Sequence, residues 1–535
     1  MNMAKMQQRI QWRSSPTMKI LCIAIALLTK ISRSDGFVAL LSQGTHIITK
    51  GRTWNSAALP FKRGDEEPEN IDKGIQIAIV GGGIGGMTLA LSLMEAGFHN
   101  IDIYESTNLS ELGVGINIQP HAVRELIELG LGEELARTGI PTKEILYFHK
   151  NGQFIYGEPR GMGAGYRWPQ YSIHRGKLLG LLYRSVQSRL GKERIHAGHK
   201  VINCGSSEED GAWAQFQVRD GSDYPKLLTT IKADLIVGCD GVHSEVRKSL
   251  TNEGCPTWMG ITMLRGLTRM KPFLGGRTMT IIGPIENEMV IYPISREAEL
   301  EGESLVNWVA LMKTNSEQNI AKEEWNVKVE NIEEAMSPFL DFQYDFINVP
   351  DLIRNAESVY QYPMIDRPPL NTWVYGNVTL LGDAAHPMIP IGANGGTQAI
   401  IDGRVLALEL ARQPTLSAAL EAYDITRRKT VNRIVRANRE ESETRFLEFI
   451  HQNAPEGFER LDDIITKEEL DNISKTYKEV AGFDPKELNE RDSYCLLDDD
   501  SFGMSQANLE PGIQCIQQNV TVHSRSFRTV EAEQM

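Results

Sequence analysis

"IAIVGGGIGGMTLALSLMEAGF", residues 77–98, decides the fold. Its first four residues are apolar and mostly β-branched, the composition of a buried strand. Gly81, Gly83 and Gly86 follow at the first, third and sixth places, with Gly85 beside the last. Leu89, Leu93 and Ala96 then recur at helical spacing. In such a turn the first glycine permits the sharp reversal, the second lets a pyrophosphate approach the backbone, and the third lets the helix pack on the strand. A phosphate would meet the free N–H groups and the positive end of that helix. The next strand, "IDIYE" (101–105), ends on Glu105, nineteen residues past Gly86. An acid there accepts hydrogen bonds from a ribose diol and repels a 2′-phosphate. Strand, turn, helix and acid together point to a dinucleotide over a merely structural glycine turn, without separating NAD from FAD.

Two later stretches repeat the strand-and-turn pattern. "ADLIVGCDGVHSEVRKSL" (233–250) turns at Asp240 and Gly241, and "VTLLGDAAHP" (378–387) turns at Gly382 and Asp383. The second continues as "MIPIGANGG" (388–396), a proline-braced loop ending in near-bare backbone before a long helix. Between them, "TMTIIG", "EMVIYPI" and "LVNWVALM" are short β-rich runs, read with the rest of 258–313 as an antiparallel sheet. Residues 404–450 read as amphipathic helix with charges on the outer face.

In this order the three motifs resemble the single-component, FAD-dependent aromatic-ring monooxygenases of the para-hydroxybenzoate-hydroxylase-like kind, over roughly residues 75–490. "GVGINIQPHAV" (113–123), "PQYSIHRGKL" (169–178), "GITMLRG" (260–266), "YPIS" (292–295), "SLVNWV" (304–309) and "QYPMIDRPPL" (361–370) look most like its phenazine-carboxylate hydroxylase branch. The resemblance implies an α/β fold: a Rossmann-like FAD-binding domain, an inserted antiparallel-sheet substrate domain and C-terminal helices. The implied boundaries are 75–255 and 361–450 for the FAD-binding parts, 256–360 for the substrate sheet, and 451–490 for a helical extension.

The resemblance also implies roles. Glu105 would bind the adenosine ribose, Arg175 a flavin phosphate or a nearby oxygen, and the Val201 backbone the adenine. Asp240, with Gly241, would lie near the pyrophosphate, and Asp383 would hold the ribityl hydroxyls. Pro387 and Pro390 would wall the isoalloxazine. Gly392, Ala393, Asn394, Gly395 and Gly396 would offer N–H groups to its N1–C2=O edge, which becomes anionic on reduction. NAD(P)H would reduce the FAD, and a flavin C4a-hydroperoxide would hydroxylate a small aromatic or heteroaromatic ring kept away from water. The flavin carries the chemistry, so no catalytic side chain is assigned; Arg265, Tyr292 and Pro390 are candidate substrate contacts. Two other outputs stay open on this scaffold: a plastid epoxidase or reductase acting on an isoprenoid or carotenoid, and a non-catalytic flavoprotein.

Composition sets the remaining bounds. A formal charge of −14 over 535 residues argues against a nucleic-acid partner. The charge is uneven, since residues 1–64 hold ten of the 56 Lys and Arg but one of the 70 acids, Asp35. Within that segment "ILCIAIALL" (20–28) is too short to span a bilayer, which needs about twenty residues. A basic start, a short apolar run and small residues near Ser34 read as a signal peptide over 1–36, followed by a transit-like 37–74. Together these predict a plastid presequence, with the secretory pathway as the alternative and no transmembrane anchor in the mature chain. Cys22, Cys204, Cys239, Cys255, Cys495 and Cys515 form no CxxC, so neither a disulfide framework nor a metal site is suggested. The tail 491–535 lacks periodicity and reads as disordered. Oligomeric state is not legible.

Each tempting polar residue has a plainer reading. His386 suits a packing role better than catalysis, since flavin hydroxylation needs no histidine nucleophile. Arg265 is a ligand contact or a solvent-reaching strand arginine, and Tyr292 a site or core tyrosine. His174 reads as structural, Arg427 and Arg428 as ion-paired helix residues. Arg124 stands where some relatives have a flavin-binding arginine, and is left out of the assigned set.

Overall fold

The computed structural model describes residues 70–495, apart from 109–112, 208, 210, 219–225, 252, 314–326 and 441–444. The expected leader, nearly all of the transit-like segment and most of the 491–535 tail lie outside the described residues. Ile77–Val80 is a central strand, paired in parallel with Ile101–Glu105 on one side and Leu235–Gly238 on the other. Ile195–Ala197 extends the first side; Val378–Leu380 and then the antiparallel Val374–Tyr375 extend the second. The chain leaves its first strand in both directions, and the crevice of such a sheet lies beyond the carboxyl ends of the strands. All three turns read from the sequence lie at those ends.

Helix α1 (Ile84–Glu95) follows the first turn and is buried from Ile84 to Leu93. It packs against both α2 (Arg175–Leu190) and α3 (Asn394–Arg412). A methyl group on Gly403 of α3 would lie 2.9 Å from the Leu89 amide nitrogen, so that glycine permits backbone-to-backbone contact of the two helices. Helix α3 ends at Arg412, and after a bend at 413–415 the chain continues as α4 (Leu416–Glu440). The expectation that the charges of 404–450 face outward does not hold throughout. Arg404 is buried 3.1 Å from Glu125, and Arg427 is buried 2.8 Å from Asp402. Periodicity detects a polar residue but not the buried partner that makes its interior placement tolerable.

The second sheet has eight strands, in the order Val327–Lys328, Val359–Asp366, Thr257–Met270, Ser304–Lys313, Met289–Pro293, Thr278–Ile282, Glu144–Phe148 and Phe154–Pro159. All pairs are antiparallel except Thr278–Ile282 with Glu144–Phe148. The last two strands come from within the segment assigned to nucleotide binding, and Val359–Asp366 crosses residue 360. Strand alternation gives this sheet two faces. One carries Leu264, Ile291, Val306 and Trp308 into a core closed by Phe339, Val349 and Ile353. The other carries Met263, Arg265, Tyr292, Asn307 and Leu311. Part of it packs on Ile389 and Ile391 of the proline-braced loop. The C-terminal region adds α5 (Lys467–Ala481), whose start carries a capping box of Thr466 and Glu469. No described helix is long and apolar enough to cross a membrane.

Candidate active site

The glycines of the first turn divide into two kinds. A methyl on Gly81 would meet the Cys239 carbonyl oxygen at 2.3 Å, at a φ of +112°. One on Gly86 would meet the Gly81 oxygen at 2.1 Å, and one on Gly85 would meet Leu381 at 2.6 Å. These three are fixed by the protein's own packing. A methyl on Gly83, by contrast, would find no protein atom within 4 Å, and the same holds for Gly241 at the second turn. Gly83 answers to neither packing nor a left-handed φ, Gly241 answers only to its φ of +80°, and each leaves bare backbone beside open space at the strand ends.

The acids divide in the same way. Glu105 accepts from the Gly82 amide at 2.8 Å and from the Thr107 amide and hydroxyl at 2.9 Å, joining the glycine turn to the next loop. Asp240 accepts from the Ser244 hydroxyl and from the Glu245 and Val246 amides at 2.8 and 3.1 Å. Its carboxylate thus caps the helix Glu245–Leu250; burial nevertheless lifts its pKa to about 6, against the pull of those donors. No described donor reaches the Asp383 carboxylate. The residue has open surface yet sits deep among protein atoms, as the floor of a cleft does. Burial raises its pKa, opposed by the nearby charges of His386 and Arg175.

Around Asp383 the assigned loop closes into a cradle. Gly382 takes a φ of +62°, and its amide donates to Asp402 at 3.1 Å. Asp402 also accepts from Arg427 at 2.8 Å and binds His386 Nε2 at 2.5 Å, both partners being buried. Burial alone would raise the Asp402 pKa, but His386 and Arg427 outweigh it and hold it below the usual carboxylate range. His386 therefore braces the turn from behind, its ring 5.1 Å from that of Trp373. Helix α3 opens on Ala393 at a left-handed φ of +56° with no side-chain cap. The amides of its first turn have no acceptor within the helix, and Gly395 and Gly396 add no side chain over them. A methyl on Gly395 would come no closer than 3.8 Å to Asp383, and one on Gly396 no closer than 3.6 Å to Ile118. Pro390 is exposed at the edge of this cradle.

Arg175 begins α2, and its charge acts on Asp383, Arg265 and Tyr362 alike. It borders both the cradle and the sheet. His174 caps the same helix, accepting from the Lys177 amide at 3.3 Å. Val201 is buried in the strand His199–Ser207 opposite Phe216, beyond the Glu105 end of the sheet. Arg265 donates to the Gly115 carbonyl at 3.0 Å, and Asn307 accepts from the Gly115 amide at 2.7 Å. Each keeps one buried donor unused: Arg265 Nε and Asn307 Nδ2 have no hydrogen-bond partner among the described residues. Burial lowers the Arg265 pKa; Tyr292 and Tyr362 act against this, and no described carboxylate pairs with it. Tyr292, hydrogen-bonded to Arg265, is pushed up to about 12 by burial. Arg124 is engaged elsewhere, on Glu128 at 2.8 Å and the Arg491 carbonyl at 2.7 Å. A groove of about 580 Å³ lined by Asn151, Gln153, Phe342 and Tyr344 contains none of these residues.

Several residues of this site were not anticipated: Asp402, Asn307, Gln119 and Arg247. Arg247 is buried and donates to the carbonyls of Ala384, Ala385 and Pro368 at 3.3, 2.9 and 3.0 Å, tying the second turn to the third. It stands inside a motif read from the sequence, but only its distant acceptors reveal its role.

The family model described as "FAD binding domain" matches residues 74–438. Phenazine 1,6-dicarboxylic acid hydroxylase PhzS of Lysobacter antibioticus is 39% identical over 367 residues, 68% of this chain and 89% of the relative. The chain belongs to the FAD-dependent aromatic-ring monooxygenases. The 3-hydroxybenzoate 6-hydroxylase 1 of Aquipseudomonas alcaligenes is 29% identical over 66% of this chain and 84% of its own. Among solved structures, HpxO of Klebsiella pneumoniae in complex with FAD and uric acid superposes with a TM-score of 0.57 at 20% identity, covering 77% of this chain and 96% of that one; this likeness concerns the fold. The monooxygenase is thus an NAD(P)H-dependent flavoprotein. Its open glycines, uncapped helix start and deep, unpaired aspartate fit FAD: each is a feature that a flat, anionic cofactor needs and that protein packing does not.

Proposed function

We propose that this monooxygenase hydroxylates a small aromatic or heteroaromatic acid, bound between the flavin loop and the inner face of the eight-stranded sheet. One observation carries the reading: Arg265 is a half-buried arginine with no carboxylate partner among the described residues and an unused, buried Nε donor, beside the unused amide of Asn307. Buried donors in native proteins are normally satisfied, and a carboxylate offers a planar acceptor suited to a guanidinium. Met263, Leu311, Met364 and Ile389 supply the apolar surroundings for a ring. The relatives named for phenazine dicarboxylate and hydroxybenzoate support the same class.

In this reading Gly83 and Gly241 admit the pyrophosphate, Glu105 and the Val201 backbone take the adenosine end, and Arg175 a phosphate or nearby oxygen. Asp383 accepts from the ribityl hydroxyls. The amides from Gly392 to Gly396 face the N1–C2=O edge, where the positive helix end stabilises negative charge. FAD, when bound, would supply the redox chemistry, with NAD(P)H as the reductant, one oxygen atom of O₂ delivered to the ring and the other leaving as water. Arg265 and Asn307 hold the substrate acid, and the apolar residues around them keep water from the reacting carbon.

The test is direct. Purified protein is given NAD(P)H with aromatic acids, their neutral amides, N-heteroaromatics and carotenoids, following oxygen uptake and product mass. Acids should stimulate NAD(P)H oxidation and gain one oxygen, amides much less. A flavin that no ligand allows NAD(P)H to bleach ends this reading. We also propose that residues 1–64 direct the enzyme to a plastid, on the strength of their basic, acid-poor sequence with one short apolar run. A fluorescent fusion retained in the secretory pathway would replace that destination with the alternative.

A further inference from the structure

The family match ends at residue 438, yet a helix beyond it reaches the flavin loop. Tyr477 of α5 donates its hydroxyl hydrogen to Asn438 Oδ1 at 3.1 Å and accepts from Asn394 Nδ2 at 3.2 Å. Asn438 Nδ2 in turn donates to the Ile389 and Ile391 carbonyls, each at 3.3 Å, and Asn394 Nδ2 also lies 3.3 Å from the Ile391 carbonyl. From another element, Gln119 Nε2 holds the Gly392 carbonyl at 3.0 Å. Tyr477, Asn394 and Asn438 are all buried. A methyl on Gly392, itself at a φ of +66°, would lie 2.0 Å from the Tyr477 hydroxyl oxygen. The loop is thus pressed between a tyrosine of the C-terminal helix and a glutamine of the first domain.

We infer that Tyr477 is a positioning residue for the flavin: its hydroxyl fixes the 389–394 loop so that the α3 amides meet the cofactor's edge. Carbonyls of this loop are taken by the Asn438, Asn394 and Gln119 amides. That fixes the peptide planes and so the direction of the N–H groups that follow. Tyr477 braces two of those three amides at once. Without its hydroxyl, Asn394 and Asn438 lose a shared partner, and the helix start is free to shift. The inference rests on the assignment of this loop to FAD.

The second anchor of α5 provides the control. The Tyr156 hydroxyl donates to Asp471 at 2.9 Å, and Lys478 pairs with Glu158; both hold the helix to the sheet without touching the loop. The experiment measures FAD affinity by titration of the apoprotein, and the flavin midpoint potential, in the full chain and in Tyr477→Phe, Asn438→Asp and Tyr156→Phe. Tyr477→Phe should weaken FAD at least about fivefold, the scale of one buried hydrogen bond. It should also move the midpoint to more negative values, because donors at the anionic edge favour the reduced state. Asn438→Asp, which removes the amide donor without altering α5, should move both in the same direction. Tyr156→Phe should leave both within twofold. If Tyr477→Phe yields no folded protein, Asn438→Asp decides by the same criteria. A wild-type chain that binds no FAD overturns the loop assignment itself. A wild-type chain that binds FAD while Tyr477→Phe or Asn438→Asp matches it, or while Tyr156→Phe does equal harm, overturns the latch alone.

Discussion

The two faces of the eight-stranded sheet are built from alternate residues of the same strands, and they differ in what they leave unpaired. On the outer face Trp308 is wholly buried, and its Nε1–H donates to Thr268 at 3.1 Å. Gly266 leaves room for its ring, since a methyl there would lie 2.3 Å from Trp308 Cζ2. On the inner face, one residue along each strand, Arg265 and Asn307 retain buried donors without acceptors. The face whose core pairs the Trp308 donor internally, with only the Tyr344 hydroxyl of that core lacking a described partner, serves stability. A face left short of acceptors is the one on which the proposed substrate acid would bind. The same contrast separates the two aspartates at adjacent strand ends: the Asp240 carboxylate accepts three internal hydrogen bonds, whereas no described donor reaches the Asp383 carboxylate.

The largest expected effect lies on the completed face. Trp308→Ala should destabilise the enzyme by about 3–5 kcal/mol, as removal of a buried tryptophan usually does. Whatever folds should keep its KM, as calorimetry and steady-state kinetics would show. A raised KM at unchanged stability would break the contrast between the faces. Arg265→Ala should do the reverse: removing a half-buried cation that has no counter-ion among the described residues costs little stability. It should raise KM for an aromatic acid by roughly tenfold to a hundredfold, the range of a lost charge-assisted hydrogen bond of about 1.5–3 kcal/mol. The neutral amide of the same acid should be affected far less. Equal losses for acid and amide would refute the carboxylate anchor.

How much of this was legible beforehand follows from the range of the interactions. The glycine turn, the Asp383 turn and the loop to Gly396 are contiguous, because each must bend or expose backbone at one place. Local residue types therefore mark them. The sheet's completion by Glu144–Phe148 and Phe154–Pro159 joins segments more than a hundred residues apart, and no local pattern records that. The unused donors were equally hidden. Arg265 reads as either a ligand contact or a solvent-reaching arginine until Gly115, 150 residues away, is seen to take only part of its guanidinium. Buried charges of α3 and α4 look like surface charges for the same reason: Asp402, Arg404 and Arg427 are interior because their partners lie on other turns and other helices.

Asp383→Ala sharpens the contrast between the acids. No described protein donor is lost with the carboxylate, so the apoprotein should unfold at the wild-type temperature or slightly above, relieved of a carboxylate whose pKa burial raises. FAD affinity should fall by about 1.5–3 kcal/mol, the worth of a charge-assisted hydrogen bond. Full FAD occupancy in the variant at micromolar cofactor would remove Asp383 from the site.

The smallest effect concerns Asp240 and depends on pH. Its carboxyl has a folded-state pKa of about 6 against an ordinary 3.8, with burial as the main cause. Between those values the folded chain binds more protons than the unfolded one. The linkage slope is then negative, and this group's contribution to stability falls as pH rises from about 4 to about 6. Asp240→Asn keeps an acceptor for the capped helix but cannot ionise, so the apoprotein's stability across that window should lose this decline. The change should be modest, because Asp240 keeps part of its surface in solvent. Asp383→Ala, measured alongside, should flatten the acid limb too, since burial also raises that carboxyl. FAD distinguishes them: saturating cofactor should raise the unfolding temperature of Asp240→Asn by as much as it raises the wild type's, and that of Asp383→Ala by less. The first acid's partners are the protein's own, while the second's partner, in the proposed reading, would be the cofactor.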